Sequence, residues 1–157
     1  MDALRALAAG AGLTNVETFI ASGNLLFDSS SKSAPTLESR IEDALHAGLG
    51  YRVAACVRTM PELAAIAAKQ PFCGKHPAGS SLYIGFLKAA PDAARRRAVE
   101  ALADRQNEFV VDGSELYWRL RVRFSETKVT GARLEKALGT EATLRNVTTV
   151  QKLAAKV

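Results

Sequence analysis

The sequence predicts an α+β protein of two tandem ferredoxin-like units, 1–70 and 80–157, the first without its opening strand. Three observations carry this. Helix-period and strand-period segments alternate along 157 residues that are 48% hydrophobic and 24% charged, a composition that fills one medium domain or two small ones. The chain also repeats itself. Val57–Lys69 lies over Leu144–Lys156, 87 positions on, with the arginine, the Ala-Ala-Lys ending and the apolar positions coinciding. Finally, the hairpin segment Ile20–Phe27 lies over Val110–Tyr117, 90 positions on. A unit that recurs in this way is read as a βαββαβ arrangement with a trailing helix.

Residues 2–9 read as a helix, with Leu4, Leu7 and Ala8 on one face and Gly10 and Gly12 stopping it. Val16–Ala21 is a strand, Ser22-Gly23-Asn24 a turn and Leu25–Phe27 the returning strand. After a serine-rich loop, Thr36 is expected to cap a helix whose stripe is Leu37, Ile41, Ala44 and Leu45, closed by Gly48 and Gly50. Tyr51–Val57 reads as a strand. Thr59, with Pro61 and Glu62, opens a helix through Leu63 and Ile66 to Lys69. Residues 70–80, rich in proline and glycine, are the boundary between repeats.

In the second repeat Ser81–Lys88 is a strand and Pro91–Arg105 a helix with Ala94, Val99 and Leu102 inward. Glu108–Val111 and Glu115–Arg123 are strands about an Asp112-Gly113 turn. A helix over about Ala132–Leu138, closed by Gly139, a strand Ala142–Arg145 and a helix Thr148–Lys156 complete it. The chain starts inside the first helix, so the opening strand, central in this topology, is expected upstream of Met1.

Several classes are excluded. No apolar run approaches the roughly 20 residues of a membrane span, and Met1-Asp2-Ala3-Leu4-Arg5 is not a secretory leader. Two cysteines, Cys56 and Cys73, without a leader fit a reducing compartment, and a soluble cytoplasmic protein is expected. The net charge of +5 is localised: residues 1–114 carry 12 Lys/Arg and 12 Asp/Glu, whereas 115–157 carry 9 and 4. Such a field attracts a polyanion or a small anionic ligand.

The residues Ser22-Gly23-Asn24 with Phe27, Arg58-Thr59 with Glu62-Leu63, Pro71-Phe72, and Arg145-Asn146 with Thr149-Val150 and Lys152-Leu153 form an ordered set. On that set the chain resembles the domain of unknown function 1697 family over essentially its whole length. The resemblance implies two tandem ferredoxin-like units and a soluble bacterial protein, and implies no known reaction. The chain departs from the family's usual pattern in two places. The opening strand with its Arg-Gly…Asn…Gly-Gly segment is absent before Met1, and Val147-Thr148 stands where Trp-Asn usually follows Arg-Asn.

The strongest local feature is Glu115-Leu-Tyr-Trp-Arg-Leu-Arg-Val-Arg123. A strand alternates faces, so Leu116, Trp118, Leu120 and Val122 point to the core. Tyr117, Arg119, Arg121 and Arg123 point the other way, with Tyr83 a candidate neighbour. Ferredoxin-like sheets leave one face bare, and RNA-binding modules stack bases there. The bland reading is that this face packs against the first unit or is solvated.

Arg145-Asn146 with Thr149 opens the last helix, where N–H groups and an arginine make an anion site; Asn146 alone also suffices as a cap. Arg58 holds the same place in the first repeat. Ser22 and Asn24 sit at a hairpin tip and lack a nucleophile-elbow pattern. His46 falls late in a helix. Cys73 and His76 make half a zinc site, and no second pair exists, so no metal, cofactor or catalytic residue is expected. Arg95-Arg96-Arg97 reads as a solvated face.

Three functions stay open at this point. The first is a non-enzymatic binding module for nucleic acid or a small anionic ligand. The second is a small-molecule enzyme with its site between the units at Asn24, Arg58, Arg145 and Asn146. The third is a protein-interaction module using an exposed edge, through which an otherwise monomeric chain would dimerise.

Overall fold

The computed structural model describes residues 2–19, 23–69, 71–72 and 79–156. It divides into two compact units, 1–58 and 59–157. Its helices and two antiparallel sheets make an α+β protein.

The first unit opens with helix α1 (Asp2–Gly10), followed by strands β1 (Thr14–Phe19) and β2 (Asn24–Asp28) and helix α2 (Ala34–Leu49). The strands form a two-stranded antiparallel ribbon. Leu4, Leu7 and Ala8 fall on one side of α1 and meet Leu37, Ile41 and Leu45 of α2, with Leu13, Val16, Leu25 and Phe27 completing the core. The two helices approach so closely that a Cβ on Gly48 would lie 2.2 Å from a Leu7 methyl, which favours a glycine at this next-to-last position of α2.

The cap of α2 differs from the expected one. Ser33, not Thr36, accepts the Thr36 N–H, at 3.4 Å, and Pro35 occupies the first turn, where a missing N–H costs nothing. The expected strand Tyr51–Val57 is also corrected. Residues 52–59 carry no strand pairing, although Val53, Ala55 and Val57 pack on the core as a strand's inner face would. A strand is defined by a ladder, and here the ladder has no second rail.

The second unit holds α3 (Met60–Ala68), β3 (Ser81–Leu87), α4 (Ala93–Glu100), β4 (Asn107–Asp112), β5 (Glu115–Leu120), α5 (Gly131–Leu138), β6 (Ala142–Asn146) and α6 (Val147–Ala154). The sheet order is β4-β5-β3-β6, all antiparallel. Val99 of α4 and Leu134 and Leu138 of α5 pack with Leu87, Phe109, Leu116, Trp118 and Leu120 in one core. Helix α6 packs on β3, β6 and α3, and Ile66 of α3 takes the Tyr117 hydroxyl. Both sheet faces are therefore covered by helix.

Two boundaries move. The helix expected to Arg105 ends at Glu100, because the Asp104 carboxylate accepts the N–H groups of Gln106 and Asn107 at 2.8 and 2.9 Å and turns the chain into β4. The strand expected to Arg123 ends at Leu120. The order helix–strand–strand–helix recurs in the two units, as α1–β1–β2–α2 and α4–β4–β5–α5.

Candidate functional site

The alternation along β5 is as the sequence indicates, and its surroundings are not. Leu116, Trp118 and Leu120 are fully buried. The Trp118 ring lies between Phe109 and Tyr83, with centroids 5.6 and 5.7 Å away. Tyr83 is opposite Trp118 in the ladder. It therefore belongs to the Trp118 face and not, as expected, to that of Tyr117.

The indole N–H donates to Asn107 Oδ1 at 3.0 Å, which also accepts from Thr127 Oγ1 at 2.8 Å. The Asn107 amide donates to Asp104 Oδ1 at 3.0 Å. A fully buried asparagine is thus satisfied on both its ends, as a buried polar group must be.

Tyr117 and Arg119 point to the opposite face, and that face is closed. Tyr117 is 1% exposed and its hydroxyl donates to the Ile66 carbonyl at 3.3 Å. Burial, with Glu115 and Asp112 nearby, pushes its phenol up to about 12. Arg119 is 6% exposed. Its guanidinium lies 4.8 Å from the Phe72 ring centroid and holds Glu108 through two bonds, of 3.0 and 2.6 Å. Arg121, more open, donates twice to Glu108 Oε1, at 2.9 and 2.6 Å.

One carboxylate thus ties two guanidinium groups. The hydrogen bond from Arg119 and then that from Arg121 hold Glu108 below the usual glutamate range against the opposing effect of burial. Of the readings open for this face, packing holds at Tyr117 and Arg119, which meet Ile66 and Phe72, and exposure holds at Arg121, so no bare stacking platform is formed by the three.

The other sequence-selected residues fall in three further places. Asn146 accepts the Thr148 N–H at 2.9 Å and caps α6, with Thr149 half-buried in its first turn. Arg145 donates to the carbonyl of Leu144 at 2.9 Å. In the first repeat Arg58 donates to the carbonyl of Val57, also at 2.9 Å, and Thr59 caps α3 by accepting the Glu62 N–H at 3.2 Å. Asn24 donates to the Phe19 carbonyl at 3.1 Å and closes the β1–β2 turn. Ser22, Cys73 and His76 lie outside the described residues.

The structure draws attention to a layer that sequence reading set aside. On α4 and α5, which pack together, Arg95, Arg96, Arg97, Arg133 and Lys136 are exposed. Arg96 donates to the Val111 carbonyl at 2.8 Å and Arg133 to the Lys128 carbonyl at 2.9 Å. The Arg95 guanidinium lies beside Gly139, 2.6 Å from where its Cβ would be, at the negative end of α5. Carbonyl partners orient a guanidinium and cancel no charge. Among the described residues no carboxylate lies within ion-pair distance of any of these five. The triple arginine in the sequence was the available signal, and its acidic neighbours Glu100 and Asp104 masked it.

Asp104 and Glu108 both titrate below their usual ranges, the first chiefly through the Gln106 N–H. The unfolded chain therefore binds protons that the fold does not, and stability falls as pH drops below about 4 toward the lowered values. The variant Asp104→Asn/Glu108→Gln is expected to flatten the acid limb of a pH series of urea midpoints; an unchanged limb would remove these groups from the account.

A family model described as Protein of unknown function (DUF1697) matches residues 1–117. No curated protein and no solved structure matches the chain.

Proposed function

Because this chain belongs to the DUF1697 family of proteins of unknown function, which carries no reaction to it, we propose from its own surface that it is a non-catalytic module binding nucleic acid as a polyanion. The observation that carries the reading is the segregation of charge. Residues 59–157 hold 16 Lys/Arg against 10 Asp/Glu, whereas residues 1–58 hold 5 against 6. Arg97, Arg133 and Lys136 present that excess on the α4–α5 layer, and Arg95 and Arg96 are held in place by the backbone around them.

Phosphates recognise such a layer through charge and do not require base readout. Arg121 and the Arg145-Asn146-Thr149 corner of α6 extend the same basic unit. The second unit's strand order supports a ferredoxin-like reading of it, and the matching element orders support a duplication of 1–70 as 80–157. The same reading takes the chain as a soluble cytoplasmic bacterial monomer.

The test is a titration of single-stranded and duplex oligonucleotides of mixed sequence at low and at physiological salt. The expected result is binding in the roughly 10⁻⁴–10⁻⁶ M range at physiological salt, steepening as salt falls and indifferent to sequence. Absence of binding at low salt overturns the reading.

A further inference from the structure

Two basic rows stand side by side on the second unit. Helix α4 carries Arg95-Arg96-Arg97 against Glu100, and helix α5 carries Arg133 and Lys136 against Glu135. Val99, Leu134 and Leu138 turn inward to one core, which leaves the charged sides to solvent. Arg133 and Lys136, three positions apart, share one face of α5. Arg95, in the first turn of α4, reaches Gly139, just past the end of α5. The two helices pack together and so run in opposite directions, as do the antiparallel strands β3 and β5 that precede them. Arg97, further along α4, then draws level with the middle of α5. Between the charges the exposed side chains Ala94, Ala98 and Ala132 are short, so a broad rigid surface can lie close to both helices.

A single strand of nucleic acid is held by proteins through stacking as well as charge, its bases lying on aromatic rings. Among the side chains described in the second unit, no aromatic ring is exposed. Phe109, Tyr117 and Trp118 are buried, and Tyr83 packs on Trp118. The exposed Tyr51 belongs to the first unit. The α4–α5 layer thus offers cations in two rows and nothing for a base to lie on. Packed helices stand about 8–10 Å apart, between the roughly 6 Å and 12 Å widths of the grooves of a B-form duplex. A duplex presents two phosphate rows across a groove, and a single strand presents one.

We propose that the ligand of the α4–α5 layer is double-stranded nucleic acid, gripped on the phosphates of both strands, one row by α4 and the other by α5. The inference rests on the reading of this layer as a polyanion-binding surface and narrows its ligand. Phosphate contacts position a duplex and carry no sequence information, so binding is indifferent to sequence and sensitive to strandedness.

The probes are a mixed-sequence DNA duplex of about 20 base pairs and one of its strands alone, each titrated into the full chain at the same low salt. The duplex is expected to bind at least about tenfold more tightly. Arg133→Gln/Lys136→Gln, two exposed changes that keep the aliphatic stems, removes one row. It is expected to bring duplex affinity to within about threefold of the single strand's, with single-strand affinity falling less. Equal or tighter binding of the single strand overturns the proposal and leaves the polyanion reading standing. So does a duplex preference as large in the variant as in the parent, which would reflect the duplex's charge density alone. Binding of neither probe overturns the polyanion reading itself, and with it this proposal. Displacement of the duplex by poly-glutamate at matched charge overturns the choice of nucleic acid as ligand.

Discussion

Trp118→Ala is expected to destabilise the second unit by about 3–5 kcal/mol, the range for emptying a core indole site. The side chain is fully buried and touches the central strand, its neighbours and both helices of one layer through a shared core. Its loss also strips the buried Asn107 of one of its donors. Because small domains are stable by only about 5–15 kcal/mol, the variant is expected to populate unfolded second unit at modest urea. Trp118→Phe separates the two causes. It keeps most of the ring volume and loses only the N–H, and about 1–2 kcal/mol is expected. Urea midpoints with unchanged slopes are the readout; equal losses in the two variants would mean that the hydrogen bond, not the packing, dominates.

Glu108→Ala is the second large effect. It leaves the Arg119 guanidinium, 6% exposed, with Phe72 as its remaining neighbour, while Arg121 can turn to solvent. Stranding a buried cation costs several kcal/mol in the deepest cases. The Glu108 side chain is 31% exposed, which lets water reach the site and brings the expectation to about 2–3 kcal/mol. Glu108→Ala/Arg119→Met should recover much of that loss, because the stranded charge goes with its partner. A double variant as unstable as the sum of the singles would show that the network is not a unit. The same single variant should not weaken nucleic-acid binding, since it removes one negative charge.

The sequence made the sides of elements legible and left their coverings hidden. Period-two alternation placed Trp118 and Tyr117 on opposite faces of β5, as found, because that property belongs to the strand itself. Whether a face is bare depends on where α3 and α6 land, and no residue of β5 encodes this. Tyr83 was assigned to the wrong face for a related reason: a side is decided by ladder register, and the register Tyr83–Trp118 joins strands more than thirty positions apart. Thr59 and Asn146 were readable as caps because capping is a contact three residues long. Ser33 and Thr36 competed for one helix start, and Pro35 between them favoured the earlier. At Tyr51–Val57 the inward pattern was right, and the pairing was not, since a strand pattern cannot supply its own partner.

The α4–α5 surface was hidden in another way. Arg95, Arg96 and Arg97 share a stretch with Asp92, Glu100 and Asp104, and on paper the charges cancel. In the fold Asp92 is spent on the Arg95 N–H as a cap and Asp104 on the turn into β4. The arginines are left exposed, with Arg96 donating to the Val111 carbonyl.

The central claim is that Arg119 of β5 works inside the fold and the exposed basic residues of the α4–α5 layer work outside it. Salt-dependent binding of a duplex oligonucleotide, compared between Arg97→Ala/Arg133→Ala/Lys136→Ala and Arg119→Met/Arg121→Ala, tests it directly. The account predicts that the first variant stays as stable as the parent and lowers the logarithmic salt slope by up to about three contacts' worth, roughly 0.9 per contact. It predicts that the second loses stability and at most one contact's worth of slope, through Arg121. The opposite outcome, an unchanged slope in the helix-layer variant and binding abolished in the strand variant, would return the binding surface to β5 and contradict the account.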